Sequence, residues 1–299
     1  MYEERPPAPD LAARVACHWH QVSESGSTQL VVPDACVDLI WGPGGLFVAG
    51  PDTGPMPTKM ATGDVFVGVR FRPGAASDLF GVPLHTLRDQ RVPLSDLPAA
   101  ALLAPLTTPE PATLLASTTL HPATFATPHP WPTLRAETPF PATRTAPDLA
   151  ARHATLTAAT RTLLSHLNTP ARSIDSARLA DPARLADPAR LADPAAPFIA
   201  RALRLGRSVS AVAGDLGLSE RQLHRRSLTA FGYAPKTLQR IVRFQRALRL
   251  ARAGVPLATV AAEAGYADQA HLSHEVKRLS GVSLRTLAPP PSFVLRLLA

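Results

Sequence analysis

Half of the prolines in this chain, sixteen of 32, fall within residues 98–197. Proline has no amide donor and clashes with the preceding helical turn, so so dense a stretch cannot form one long helix or a central strand. The same stretch repeats the hexapeptide ARLADP at 177–182, 183–188 and 189–194. Proline at every sixth position breaks any continuous helix, and the period is too short for a solenoid repeat. The Thr/Pro/His-rich run from Thr107 to Pro147 has no sustained hydrophobic period either. Residues 98–147 are therefore expected to be an irregular or disordered linker. Only 148–168 keeps a helical spacing, with Asp148 as the N-cap and Leu149, Leu156, Leu163, Leu164 and Leu167 on one stripe. This divides the chain into a module at 1–97, a connector at 98–196, a second module at 197–288 and a tail at 289–299.

Charge separates the two modules more sharply than proline does. Residues 199–299 carry sixteen Arg or Lys against five Asp or Glu, a net of +11, whereas 1–198 carry fifteen against eighteen, a net of −3. A local excess of that size predicts a polyanionic partner for the last third. Lys59, Lys236 and Lys277 are the only lysines; the Ala/Arg/Pro-rich, Lys-poor composition is in part what a GC-rich bacterial genome encodes. Cys17 and Cys36 are too few for a disulfide framework and fit a reducing, cytoplasmic setting. The acidic, proline-rich start does not read as a secretory signal, and no apolar run reaches 18 residues, so no membrane partner is expected.

The first module reads as strands. Val15–His20, Gln29–Val32, Val37–Trp41, Leu46–Ala49 and Val65–Phe71 are β-branched or aromatic runs separated by Gly, Pro, Ser and Asp. Such short strands suggest a small antiparallel sheet or barrel, and Pro73–Phe80 reads as a helical segment ended by Gly81. The chain as a whole is thus expected to be α+β. Cys17, His18, His20 and Cys36 have ligand chemistry, but on a strand Cys17 points away from both histidines and no CxxC or HxxxH spacing occurs. No metal or cofactor is expected. A ligand pocket could form from Trp19, Asp38, Trp41 and Arg70, with Asp34 and Arg72 nearby: the arginines would clamp an anion, or else pair with the aspartates and hold the sheet.

The second module carries the informative pattern. Val209, Val212, Ala213 and Leu216 form an apolar helical stripe, Gly217 supplies a tight turn, Leu218 plugs the gap, and Ser219 caps a second helix. On that helix Leu223 faces inward while Arg221, His224 and Arg225 share an outer face. The arrangement recurs: Val260, Ala261 and Ala264 form the stripe, Gly265 the turn and Tyr266 the plug, with Leu272, Val276 and Leu279 inward. Gln269, Ser273, His274 and Lys277 are left outward. Between the copies, Pro235 to Gly254 reads as a single long helix. At 1.5 Å per residue its eighteen helical residues span about 27 Å, close to the repeat of about 34 Å between major grooves on one DNA face.

Residues 197–288 resemble the DNA-binding domain of the AraC/XylS family of bacterial transcription regulators. The resemblance rests on LGLSERQLHRR, FGYAPKTLQRIVRFQRAL and VAAEAGYADQAHLSHEVKRLSGVS. PDACVDLIW, VAGPDT and GVRFRPGAA are similar to the cupin-like sensor region that accompanies this domain in actinobacterial members. The resemblance implies binding to double-stranded promoter DNA, recruitment of RNA polymerase, regulation by a small-molecule effector, and a homodimer made through the first module. It also implies reading positions: Arg221, His224 and Arg225 in one groove, and Gln269, Ala270, Ser273 and His274 in the next. Ser219, Arg226, Lys277 and Arg278 are expected at phosphates, and Arg240, Arg243 and Arg246 are read as solvating the connecting helix. Ser227 stands where the family has an aromatic, which predicts looser packing of the first unit unless Phe231 fills the space. Val276 likewise replaces an aromatic, Leu284 a proline, and Ala270 and His274 longer polar or basic side chains.

The resemblance implies no enzyme. Two other readings compete: a cysteine-based DNA alkyl-transfer protein with Cys17 or Cys36 as acceptor, and a non-specific nucleoid binder. Two cysteines cannot build the four-thiolate zinc site of the former; the latter is what charge alone would call for, but not the duplicated reading helices.

Overall fold

The computed structural model describes residues 1–107, 149–168 and 193–288. Within these, the N-terminal part folds as strands β1 (Tyr2–Arg5), β2 (Val15–Val22), β3 (Ser27–Val31), β4 (Val37–Gly42), β5 (Gly45–Ala49), β6 (Met56–Met60), β7 (Val65–Phe71) and β8 (Arg91–Pro93). Six of them form an antiparallel sheet in the order β1-β2-β7-β4-β5-β8, and β3 pairs with β6 in a separate ribbon. The sheet stays open. Its inner strands are those with β-branched and aromatic runs; one edge is β1, fully exposed and charged at three of four residues, and the other is the short β8.

Alternation along β7 decides what each face of the sheet buries. Val67, Val69 and Phe71 are completely buried on one face beside Leu39 and Val48. A bulge in β2 between Val15 and Cys17 shifts the register, so Val15 pairs with Phe71 and His18 with Val69. The extra residue puts Val15, His18 and His20 on this same face and turns Cys17 and Trp19 to the other. Covering the buried face are Leu79, Phe80, Leu84, Leu87 and Leu94 from the segment after β7, together with two helices. These are α1 (Ala100–Thr107), through Leu103, and α2 (Leu149–Asn168), through Leu156, Ala159 and Leu163.

Several expectations change here. Pro73–Phe80 is a chain of turns rather than a helix: Gly74 at φ +78° departs from helical geometry at the second residue, and Leu79 and Phe80 anchor the turns in the core. The start of the expected linker is helical, as α1, because its leucines have the sheet to pack against. The helix expected over 148–168 is α2, whereas Asp148, most of 98–147 and nearly all of the ARLADP repeat lie outside the described residues.

The C-terminal part is helical: α3 (Ala196–Arg204), α4 (Val209–Asp215), α5 (Glu220–Phe231), α6 (Pro235–Arg252), α7 (Leu257–Ala264), α8 (Gln269–Ser280) and α9 (Leu284–Leu287). Its single core gathers Ile199, Leu203, Val212, Leu223, Phe231 and Tyr233 with Leu238, Ile241 and Phe244 of α6, and Val260, Leu272, Val276 and Leu279 from the second helix pair. Leu284 is also buried there. Two residues of the N-terminal part, Val32 and Ala35, pack into this same core. Gln245 Nε2 donates to the Pro33 carbonyl at 2.6 Å, so the two parts are docked rather than merely tethered.

Candidate nucleic-acid interface

Each helix pair is built by local chemistry. Ser208 caps α4, accepting from the amide of Ala211. After α4 the chain turns at Gly217, φ +63°, and the amide of Leu218 returns to the Ala213 carbonyl at 2.9 Å. Ser219 then closes a capping box. Its Oγ accepts from the Gln222 amide at 3.2 Å, while Gln222 Oε1 accepts from the Ser219 amide at 2.8 Å. This satisfies two amides that have no partner within the helix. In the second pair the turn is Gly265, the plug Tyr266 is buried, and Asp268 caps α8 by accepting from the His271 amide at 2.7 Å.

The helical period then sorts the side chains. On α5, Leu223, Ser227, Ala230 and Phe231 are buried, while Arg221, His224, Arg225 and Arg226 are exposed. On α8, Leu272, Glu275, Val276 and Leu279 are buried, while Gln269, Ala270, Ser273, His274, Lys277 and Arg278 are exposed. Some of the exposed groups are engaged within the chain. Ser273 Oγ donates back to the Gln269 carbonyl at 2.8 Å, Arg226 lies 3.7 Å from Asp193, and Arg278 lies 3.9 Å from Glu275.

Ser227 does not loosen the first unit. Its buried Oγ donates to the Tyr233 carbonyl at 2.7 Å, and Phe231 is buried beside it. The hydroxyl thus satisfies a backbone acceptor at the α5–α6 turn, where an unpaired carbonyl would be costly.

The connecting helix holds both units. Gln239 Nε2 donates to the Arg207 carbonyl at 3.0 Å, tying α6 to the segment before α4. Arg240 Nε donates to Glu275 Oε2 at 2.9 Å, and the Arg243 guanidinium lies 4.4 Å from the Tyr266 ring centre. Burial works to raise the Glu275 carboxyl, but Arg240, with Arg278 and Arg243 adding to it, turns the net shift downward. Arg240 and Arg243 are therefore stitches between α6 and the second unit rather than mere solvation, a role that pairwise distances show and helix spacing does not.

The N-terminal candidates divide. Arg70 donates to Asp38 twice, Nε to Oδ1 at 3.1 Å and Nη2 to Oδ2 at 3.0 Å, and Trp19 Nε1 donates to Asp38 Oδ2 at 3.1 Å. Asp34 at 3.5 Å and Glu4 at 3.7 Å complete the surround of the guanidinium. Burial raises the Asp38 carboxyl, with Arg70 the largest opposing influence. Of the two readings of these residues, pairing within the sheet is the one the distances match. Trp41 is not part of the set: strand alternation puts it on the opposite face, where Arg152 of α2 lies 5.5 Å from its ring centre.

Cys17 and the two histidines also face opposite ways. His18 and His20 instead meet His153 of α2, with ring centres 6.3 and 5.5 Å apart. Among the described residues no group of three His, Cys, Asp or Glu is placed to hold a metal ion. Burial pushes the Cys17 thiol up to about 11 and that of Cys36 well above its usual value, the reverse of what activates a nucleophile.

One buried group had no separate signal in the sequence. Tyr233, within FGYAPKTL, has its hydroxyl 2.6 Å from the Asp52 carbonyl, which accepts its proton across 181 residues of chain. Burial raises its pKa, so it stays a neutral donor. A buried tyrosine hydroxyl calls for a partner, but local sequence does not say which.

Known families match the two parts separately. Residues 212–288 match the family described as Helix-turn-helix domain, and residues 3–93 match Domain of unknown function (DUF6597). No curated protein matches the chain. Among solved structures, the C-terminal domain of AraT, a response regulator from Geobacillus stearothermophilus, is 22% identical over 32% of this chain and 84% of that one, at a TM-score of 0.30. ToxT from Vibrio cholerae O395 is 11% identical over 94% of this chain and 98% of its own, at 0.37. Unsaturated fatty acid bound ToxT from Vibrio cholerae strain SCE256 is 11% identical over 91% and 95%, at 0.39. No helix among the described residues is long and apolar enough to cross a membrane. With its two capped helix pairs and the helix that joins them, the segment 212–288 has the build of the helix-turn-helix domain whose family it matches.

Proposed function

We propose that the protein is a sequence-specific transcription regulator that reads two adjacent major grooves of promoter DNA. The observation that carries this is the pair of capped helices, α5 and α8, each with a polar face exposed and an apolar face buried, held on one 18-residue helix. Arg221, His224 and Arg225 read the first groove. Gln269, Ala270, Ser273 and His274 read the second, with Ala270 offering only apolar contact to a thymine methyl. Ser219, Arg226, Lys277 and Arg278 lie at the phosphates, where Arg226 and Arg278 exchange an intramolecular carboxylate neighbour for DNA. RNA polymerase is the protein partner, the N-terminal part dimerises, and a small-molecule effector acting there gates binding. Catalysis plays no part, and the raised cysteine pKa values speak against alkyl transfer.

Competition binding tests the reading. An operator selected in vitro should outcompete random DNA by at least about a thousandfold near physiological salt, and the gap should persist as salt rises. Equal affinity for both DNAs at both salt concentrations would leave only non-specific binding.

A further inference from the structure

Both reading helices end against the same loop of the N-terminal part. Helix α5 is followed by Gly232 at φ +75°, where a Cβ would stand 2.6 Å from Pro51 Cγ and 3.0 Å from the Leu84 carbonyl oxygen. Helix α8 is followed by Gly281, also at φ +75°, where a Cβ would stand 3.5 Å from Pro55 Cγ. Pro51 and Pro55 bound one short connection, residues 50–55, between β5 and β6. Each helix meets it at the C-terminal end, away from the first turns that carry Arg221 and Gln269.

The loop is braced from behind. Asp52 receives Arg91 of β8 through both oxygens, at 2.9 and 2.7 Å. Asp89 accepts from the Thr53 amide at 2.6 Å and from its hydroxyl, and the Asp89 amide returns to the Pro51 carbonyl at 3.1 Å. The Gly50 amide donates to the Gln90 carbonyl at 3.0 Å. A connection bonded this way to the sheet edge behaves as part of the sheet, and proline at each contact leaves it stiff.

It is tied most firmly to the first unit. The Tyr233 hydroxyl donates to the Asp52 carbonyl, while the carbonyl of Tyr233 accepts from Ser227 inside α5. One residue thus joins the loop to the reading helix. Arg88 adds a longer contact, Nη1 to the Gly232 carbonyl at 3.4 Å. At the second unit the loop only touches.

We propose that loop 50–55 is a strut that sets the relative orientation of α5 and α8, and that Tyr233 and Pro55 are positioning residues for the spacing between the two half-sites. Helix α6 fixes how far apart the units lie along its own axis. The strut adds a second connection between the units and resists rotation of one against the other. Inserting one base pair between half-sites rotates the second by about a tenth of a turn, so a rigid pair of readers rejects it and a loose pair follows it.

This inference rests on the regulator reading, and the experiment separates the two. Full-length protein, Tyr233→Phe and Pro55→Ala would be compared on the selected operator, on versions with one base pair inserted or removed between half-sites, and on a single half-site. Wild-type protein should lose about tenfold or more in affinity on changing the spacing. Each variant should lose only about two- to threefold, with single half-site affinity within twofold of wild type. Pro55→Ala removes a contact at a partly exposed position and keeps the test alive if Tyr233→Phe does not fold. Variants that keep the wild-type spacing penalty, or that weaken on every DNA alike including the half-site, would overturn the strut. Failure of wild-type protein to prefer any selected operator would overturn the regulator reading and the strut with it.

Discussion

The two helix-turn-helix units share a fold but are held in different ways. The first is fastened from both sides: Gln239 ties its entry to α6, and Tyr233 ties its exit to the N-terminal part through a fully buried hydrogen bond. The second is fastened to α6 by the Arg240–Glu275 ion pair and the Arg243–Tyr266 contact, and it meets the N-terminal part where Gly281 lies beside Pro55. Their outer faces differ in the same direction. Arg221 and Arg225 give the first unit two side chains able to bond guanine bidentately, whereas the second offers Gln269, a small Ala270, a serine turned onto its own helix, and His274. The proposed function therefore makes the first unit the anchor of register and sequence choice, with the second extending the footprint.

Core truncation should give the largest effects and tests whether the two units are equally packed. Leu223→Ala and Leu272→Ala each empty a buried position on a reading helix, and each should cost about 2–5 kcal/mol in thermal or denaturant unfolding. A large loss at one and none at the other would break the claim of a shared fold. Next come the readers: Arg221→Ala and Arg225→Ala should each lower discrimination at the first half-site by about 1–3 kcal/mol, measured as relative affinity for single-base operator changes. No comparable single substitution on α8 should match them.

Glu275→Ala should destabilise the second unit by about 1–2 kcal/mol. That is less than for a fully buried ion pair, because Arg240 is 28% exposed and water screens part of the loss. Amide hydrogen exchange should then speed up in α8 and leave α5 unchanged.

The smallest expected effect lies far from both units. Burial, with Arg5, His20 and His18 adding to it, holds the His153 imidazole down at about 4 against an ordinary 6.5, while Glu3 opposes. His18 is shifted the same way, by burial and Arg161. The folded state therefore binds fewer protons than the unfolded one between about pH 6.5 and 4, and stability should fall as pH drops through that window. Melts at pH 7 and pH 5 should differ less in His153→Gln than in wild type; an equal difference would remove this cluster from the account.

The helical half was legible because its signals are local. Glycine turns, capping residues and stripes spaced by three and four all lie within one helix pair, and the capping box of Ser219 and Gln222 needs only four consecutive residues. Strands with β-branched runs were legible for the same reason. What escaped depended on partners distant in the chain. Strand β1 is charged on every residue but Tyr2 and pairs only because β2 presents an edge. Trp41 fell on the wrong side of a pocket that spacing alone made plausible, and Arg240 and Arg243 read as solvent-facing until Glu275 and Tyr266 were placed beside them. The Tyr233–Asp52 bond, which joins the two parts, has no local trace at all.

Hydroxyl-radical footprinting on the selected operator tests the central claim most directly. Two readers on one 18-residue helix should protect two windows about 10 base pairs apart on the same face of the duplex. Arg221→Ala should weaken the first window, and Gln269→Ala the second. A single window, or protection without that phase, would contradict a tandem reader.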